Sequence, residues 1–148
     1  MKKIFLVSAL FILAISSMAS GIVNVASDFS VKETGERMQT ILKKKGMKIF
    51  NHINHSEGAK NVGIDLRDTE LIIFGNPKVG SPLIKCQQTV ALDLPQKALI
   101  WEDENQKVWI SYNAPEYLAT RHDIKGCEKV LGKIKGALAG ITKAAATK

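Results

Sequence analysis

The chain has 148 residues, 45% of them hydrophobic and 24% charged, with a net charge of +7 at pH 7. That composition excludes a disordered chain and fits one domain of ordinary size. Aromatic residues make up only 6%, which argues against a nucleic-acid platform built from stacked rings.

Met1-Lys2-Lys3 opens the chain, followed by an uncharged run from Ile4 to Ser16 and small residues at Ser17 and Ala19. A basic start, a short apolar core and a small-x-small end form the pattern of a secretory signal peptide, cut after Ala19. The apolar run is short for a membrane span. Residues 1–19 are therefore expected to be removed, leaving residues 20–148 as a single domain in the periplasm or the medium. Removal takes away Lys2 and Lys3 and lowers the net charge from +7 to +5. That balance favours acidic partners, or at most peripheral contact with an anionic membrane, and the exported address argues against nucleic acid.

A first strand is expected in Gly21–Ser30, which carries Ile22, Val23 and Val25. Ser30 with Glu33 three residues on is a capping box. Val31, Thr34, Met38, Ile41 and Leu42 then recur at helical spacing up to Gly46. Lys43, Lys44 and Lys45 fall in the last turn, where the helix dipole favours cations. The alternation of "MKIFNHINH", Met47 to His55, predicts a strand, and Ser56 opens a short helix. "TELIIFGN" reads as a buried strand. The Pro and Gly content of "PKVGSP" predicts a loop, and "LIKCQQTVALDLP" a further strand ending at Pro95. "KALIWED" and "KVWISYN" flank a hairpin turn. Pro115 starts a helix in "APEYLATRHDI". A long C-terminal helix follows, with Val130, Leu131, Ile134, Leu138 and Ile141 on its apolar line and a frayed end. The order predicts an α+β fold: one curved, mostly antiparallel sheet with helices packed on one face.

The motifs "NHSEGAKNVGIDLRDTELIIFGNP", "FGNPKVGSPL", "ALDLP", "IWEDENQKVWISYN" and "APEYLATRH" together resemble the bacterial family known as domain of unknown function 302. The resemblance runs from about Ser27 to Ile124. It implies a fold like the saddle of the TATA-binding protein, β-α-β(4)-α, and a homodimer. The fold carries no implication of DNA binding. One departure stands out: members tend to have Asp-His where this chain has Asn54-His55. Asn54 can accept a hydrogen bond from the ring but cannot supply charge.

Strand ends in an antiparallel sheet gather at its edges. His55, Asn76, Lys78, Tyr112, Asn113, Arg121 and His122 all fall at such ends, which predicts a polar ligand pocket at the sheet edge. Lys78, Arg121 and the two histidines suit a small anionic ligand. The plainer reading of Gly-Asn-Pro is turn chemistry alone. His52 and His55 are an odd number apart on a strand and point to opposite faces, and no H-x-x-x-H or C-x-x-C occurs, so no metal or other cofactor is expected. Cys86 and Cys127, an even pair in an exported protein, predict either a disulfide or two buried thiols. Gly132, Gly136 and Gly140 predict close packing of the last helix on the sheet or against a second helix. Glu102, Asp103 and Glu104 read as a solvated turn. No catalytic signature is present. The leading expectation is a ligand-binding or accessory module with no catalytic residues. The rivals are an enzyme using His55 or His122 as general base and a structural protein of the envelope.

Overall fold

A computed structural model describes residues 21–148; the expected signal segment lies outside the described residues. Five strands form one antiparallel sheet: β1 (Ile22–Ser27), β2 (Lys48–Asn54), β3 (Thr69–Gly75), β4 (Gln96–Glu102) and β5 (Val108–Asn113). Their order is β1-β5-β4-β3-β2, so the first strand closes against the last. Helices α1 (Val31–Lys44) and α5 (Glu128–Ala146) pack together over one face. The α+β class and the β-α-β(4)-α order expected from the sequence both hold.

Alternation sorts each strand. Val25, Ile72, Phe74, Ile100 and Ile110 point under the helices, where Met38, Leu42, Leu138 and Ile141 meet them. Leu71, Ile73, Leu99, Trp101 and Trp109 point to the opposite, half-buried face. There Trp101 Nε1 donates to Ser111 Oγ at 2.8 Å, and Ser111 Oγ lies 2.6 Å from Asn24 Oδ1, stitching β4, β5 and β1 side by side.

The α1 capping box forms: the Ser30 side chain accepts from Glu33 N at 3.2 Å. At the other end of the fold α5 is not frayed. Arg37 of α1 donates to the carbonyls of Ala144, Ala145 and Thr147 at 3.2, 2.9 and 2.6 Å, and its guanidinium stacks on Phe29. A cation placed on the last carbonyls satisfies groups that a helix end leaves open.

Three local expectations are corrected. Residues 77–92 hold neither the predicted loop nor the predicted strand: α3 (Pro77–Cys86) runs straight into a 3-10 turn (Gln88–Leu92). Asn76 caps α3, its side chain accepting from Lys78 N at 2.9 Å, and Pro77 sits at the first helical position. This is a good helix start that the Pro and Gly content concealed. Pro82 lies within the helix on an exposed position, and Leu83 beside it is fully buried. Second, α2 (His55–Lys60) is capped by Asn54 rather than Ser56. The Asn54 Oδ1 atom takes bonds from Ser56 Oγ and Glu57 N, both at 2.8 Å, and so serves the helix instead of orienting His55. Third, Gly132, Gly136 and Gly140 do not pack on the sheet: a Cβ placed at any of them would meet nothing within 4 Å.

Cys86 and Cys127 are joined as a disulfide, with Cα atoms 6.5 Å apart, between the end of α3 and the start of α5. None of the described helices is long and apolar enough to cross a membrane.

Candidate functional site

Strand direction decides which of the expected site residues can meet. Register places Asn54 beside Glu70 and Lys48 beside Gly75. His55 thus leaves the sheet where β3 begins, while Asn76 leaves it where β3 ends. Six residue steps of strand, roughly 20 Å, separate the two. The same register puts the start of β4 and the end of β5 at the Asn76 end. Asn76, Lys78, Tyr112 and Asn113 therefore belong to one end of the sheet, and α4 (Pro115–Arg121), which follows β5 directly, brings Arg121 and His122 to that side. His55 stands at the other. The single shared polar pocket expected around His55, Asn76 and His122 does not form.

His122 is not an open imidazole. It is 8% exposed, with Nδ1 3.1 Å from Thr89 Oγ1 and Nε2 2.5 Å from Asp93 Oδ2. Arg121 Nε reaches the same Asp93 oxygen at 3.2 Å, and Arg121 Nη1 donates to the Tyr117 hydroxyl at 2.9 Å. In the neutral ring, an Nε2–H donated to the carboxylate leaves Nδ1 to accept from the Thr89 hydroxyl. The knot ties the end of α4 to the 3-10 turn. Burial pushes the Tyr112 phenol above its usual range, with the Thr142 hydroxyl working the other way. Tyr112 is thus a neutral core group at ordinary pH. Its side chain faces the helices, and Asn113, next along β5, faces the opposite side.

Asn76 does border a cavity, although an apolar one. About 290 Å³ of space lies between the Asn76 end of β3, α3, the segment after the 3-10 turn and α5. Met47, Phe50, Phe74, Leu94, Ile134 and Leu138 are among the apolar residues of its wall. The β2 register shifts between Ile49 and Asn51, where Phe50 is set out of line. Among the polar lining groups, Asn76 is engaged in capping α3. Lys133 is exposed. The Gln96 Nε2 atom is buried and has no hydrogen-bond partner among the described residues. Lys78, Arg121 and His122 are not part of the wall.

At the His55 end, an open hollow beside α2 is lined by Asn54, Ser56, Glu57, Lys60, Asp65 and Asp68 among others, without His55. Near it, His52 Nε2 lies 2.8 Å from Glu70 Oε2 on the helix-covered face. A Cβ on Gly35 of α1 would sit 3.0 Å from the same oxygen, so the small residue is what admits the buried carboxylate. Among the described residues no group of three or more His, Cys, Asp and Glu side chains is placed to hold a metal ion.

Sequence reading missed Thr89, Asp93 and Gln96. Asp93 sits in "ALDLP", a segment taken for part of a strand, so its approach to His122 was hidden. Nothing in the sequence marks Gln96. Its importance arises from position: the first residue of β4, across from Phe74, on the face that borders the cavity.

A family model described as "Domain of unknown function DUF302" matches residues 23–141. A curated relative, "Fluoride-specific ion channel FluC 1" of Brucella suis, is 48% identical over 109 residues, 74% of this chain and 43% of the relative. The protein of that name from Brucella abortus gives 48% identity over 109 residues, again 74% of this chain and 40% of the relative. The chain thus spans less than half the length of these curated relatives. A crystal structure of an uncharacterized conserved DUF302 protein from Bacillus stearothermophilus aligns with a TM-score of 0.77 at 19% identity, covering 84% of this chain and 98% of the other. That likeness concerns the fold.

Proposed function

The chain belongs to the DUF302 family, and on that premise we propose that it is a small-ligand-binding module which takes an apolar guest into the cavity beside Asn76. The observation that carries this reading is the cavity itself. The hollow is open to solvent, with Phe50 on its wall 45% exposed, and apolar surface left facing water in a recess favours an apolar occupant. A space of about 290 Å³ lined by Met47, Phe50, Phe74, Leu94 and Ile134 approaches the size range of small-molecule sites. Its lining argues for an apolar guest in place of the anion that the basic residues suggested. Export to the periplasm and pairing of two copies are part of the reading. They rest on the leader-like start of the sequence and on the resemblance to the family.

Fluoride binding, which the name of the Brucella relatives suggests, finds little support in this cavity. A small, strongly hydrated anion needs charge or several donors to replace its water. The lining here is apolar apart from a few polar groups.

The test is to fill the space. Ala137 of α5 borders the cavity, and Ala137→Phe places a ring inside it. Binding of the uncharged probe naphthalene, read by its fluorescence, is expected in the natural protein and lost in the variant. His55→Ala is expected to leave it unchanged. Equal binding by the natural protein and the filled variant removes this reading.

A second reading is hydrolytic, and one observation favours it. Thr89 is exposed, its hydroxyl is 3.1 Å from His122 Nδ1, and Asp93 holds the far side of the ring. A hydroxyl, a base and an orienting carboxylate in line form the arrangement of an activated nucleophile. Incubation with a fluorophosphonate followed by peptide mass mapping tests it: modification at Thr89 supports the reading, and an unmodified Thr89 eliminates it.

A further inference from the structure

Resting on the cavity reading, we propose that the guest is a single-chain anionic amphiphile. Its apolar tail lies inside the cavity, and its charged head stays in water at the mouth, in the field of Lys48 and Lys133.

The rim of the cavity is charged where its wall is not. Among the described residues that line it there is no Asp or Glu, and Lys133 is the cation. Lys133 starts the row of α5 that continues along the wall through Ala137 and Ile141. It is exposed, so its stem covers apolar surface while its ammonium stays in water. A second cation stands on the sheet side. Lys48 pairs in register with Gly75 of the wall, and its Nζ lies 5.0 Å from the centroid of the Phe50 ring. Phe50 is itself a wall residue, 45% exposed. Attraction between ring and ammonium therefore holds Lys48 at the edge of the opening. Neither lysine forms an ion pair with a described carboxylate, whereas Lys135, on another side of α5, is paired with Glu116 at 2.5 Å.

An apolar recess with unpaired cations at its rim selects by charge as well as by shape. A carboxylate drawn inside would lose its water and find no counter-charge. Left at the mouth, it keeps its hydration and gains the attraction of the two ammonium groups. A cationic head meets repulsion there, and an uncharged chain gains only the burial of its tail. The volume of about 290 Å³ corresponds to roughly ten waters, which suits a tail of about eight to ten carbons.

The experiment titrates the methyl resonances of Ile84, Ile134 and Leu138 with nonanoate, 1-nonanol and nonyltrimethylammonium at neutral pH and low salt. Nonanoate is expected to bind about fivefold more tightly than the alcohol, as two exposed ion pairs allow, and the cation more weakly than either. Lys48→Gln combined with Lys133→Gln should bring nonanoate down to the level of the alcohol and leave the alcohol unchanged. Added salt should weaken the same preference in the natural protein. Lys60→Gln removes an equal charge beside the hollow at the His55 end and should leave the preference in place; its loss there too would reduce the effect to net charge and overturn the proposal. Ala137→Phe should abolish nonanoate binding, and binding retained in that variant would put the tail outside the cavity and overturn the proposal. Equal binding of nonanoate and nonanol by the natural protein, with naphthalene still bound, overturns the amphiphile and leaves the cavity reading intact. If that equality comes with strong sedimentation on phosphatidylglycerol vesicles, the lysines serve a lipid surface and the proposal falls. Absence of any shift with these probes and with naphthalene sinks the proposal and the cavity reading together.

Discussion

His122 Nε2 lies 2.5 Å from Asp93 Oδ2, and the ring between them is almost wholly enclosed. A histidine so placed links two segments that share no strand pairing: the end of α4 and the turn after α3. His122→Ala would strip the carboxylate of one partner, leave Thr89 without its acceptor and open a gap beside the turn. The expected cost is about 2–3 kcal/mol, typical of losing a hydrogen bond to a charged group in a largely buried site. Urea denaturation at neutral pH measures it. A loss below roughly 0.5 kcal/mol, the level of an ordinary surface change, would mean that the knot adds nothing to stability.

The Cys86–Cys127 bridge closes a loop with a sequence separation of 41 and fastens α3 to α5 across one side of the cavity. Chain-entropy reasoning assigns a loop of that length about 4 kcal/mol. The double change Cys86→Ser, Cys127→Ser should lower the unfolding free energy by about that amount, or somewhat less if the reduced chain stays compact. Comparing oxidised and reduced natural protein in the same denaturant series checks it. Indistinguishable midpoints would show that the bridge fails to constrain the unfolded chain.

Gly132, Gly136 and Gly140 line an outer face of α5 with open space where their side chains would be. A glycine in an exposed helix costs about 1 kcal/mol relative to alanine. On a free surface, each Gly→Ala change should therefore stabilise the protein by up to about 1 kcal/mol without altering its mass in solution. Thermal unfolding paired with light scattering reads both quantities. If alanines lower the melting temperature, or break up a dimer, the stripe is a contact surface.

Much of the fold was legible because local signals agreed with global ones. Ser30 and Glu33 announced α1, and the unbroken apolar run from Leu71 to Phe74 announced a buried strand, whereas the pairing of β1 with β5 is a finding of the structure. Residues 77–92 misled because Asn-Pro-Lys and Gly-Ser-Pro are turn chemistry by composition, yet Asn76 followed by Pro77 is also a helix start. What decided between them was burial of Leu83 and the tie at Cys86, which are tertiary facts. The site was less legible. Polar residues at strand ends were grouped together, although antiparallel strands have two ends and His55 lies at the wrong one. The cavity and the Gln96 amide depend on what the surrounding residues leave unfilled, and a sequence does not display that.

Asp103 organises the β4–β5 turn in a manner that pH can report. Its Oδ1 accepts from Asn105 N and Lys107 N, both at 2.9 Å, while Oδ2 accepts from Trp109 Nε1 at 2.8 Å. The indole bond first, and the Lys107 amide next, hold its carboxyl below the usual value of 3.8. A carboxyl whose folded value is depressed adds stability that is fully present above 3.8 and is lost as pH falls through the folded value. The indole proton of Trp109 should therefore shift on acidification with a midpoint below 3.8, and in Asp103→Asn that titration should vanish. Nuclear magnetic resonance of the two tryptophan indoles follows this directly, with Trp101, bonded to Ser111, as the internal control. A Trp109 midpoint at or above 3.8 would show that the turn is held by the backbone alone, with the carboxylate a solvated bystander.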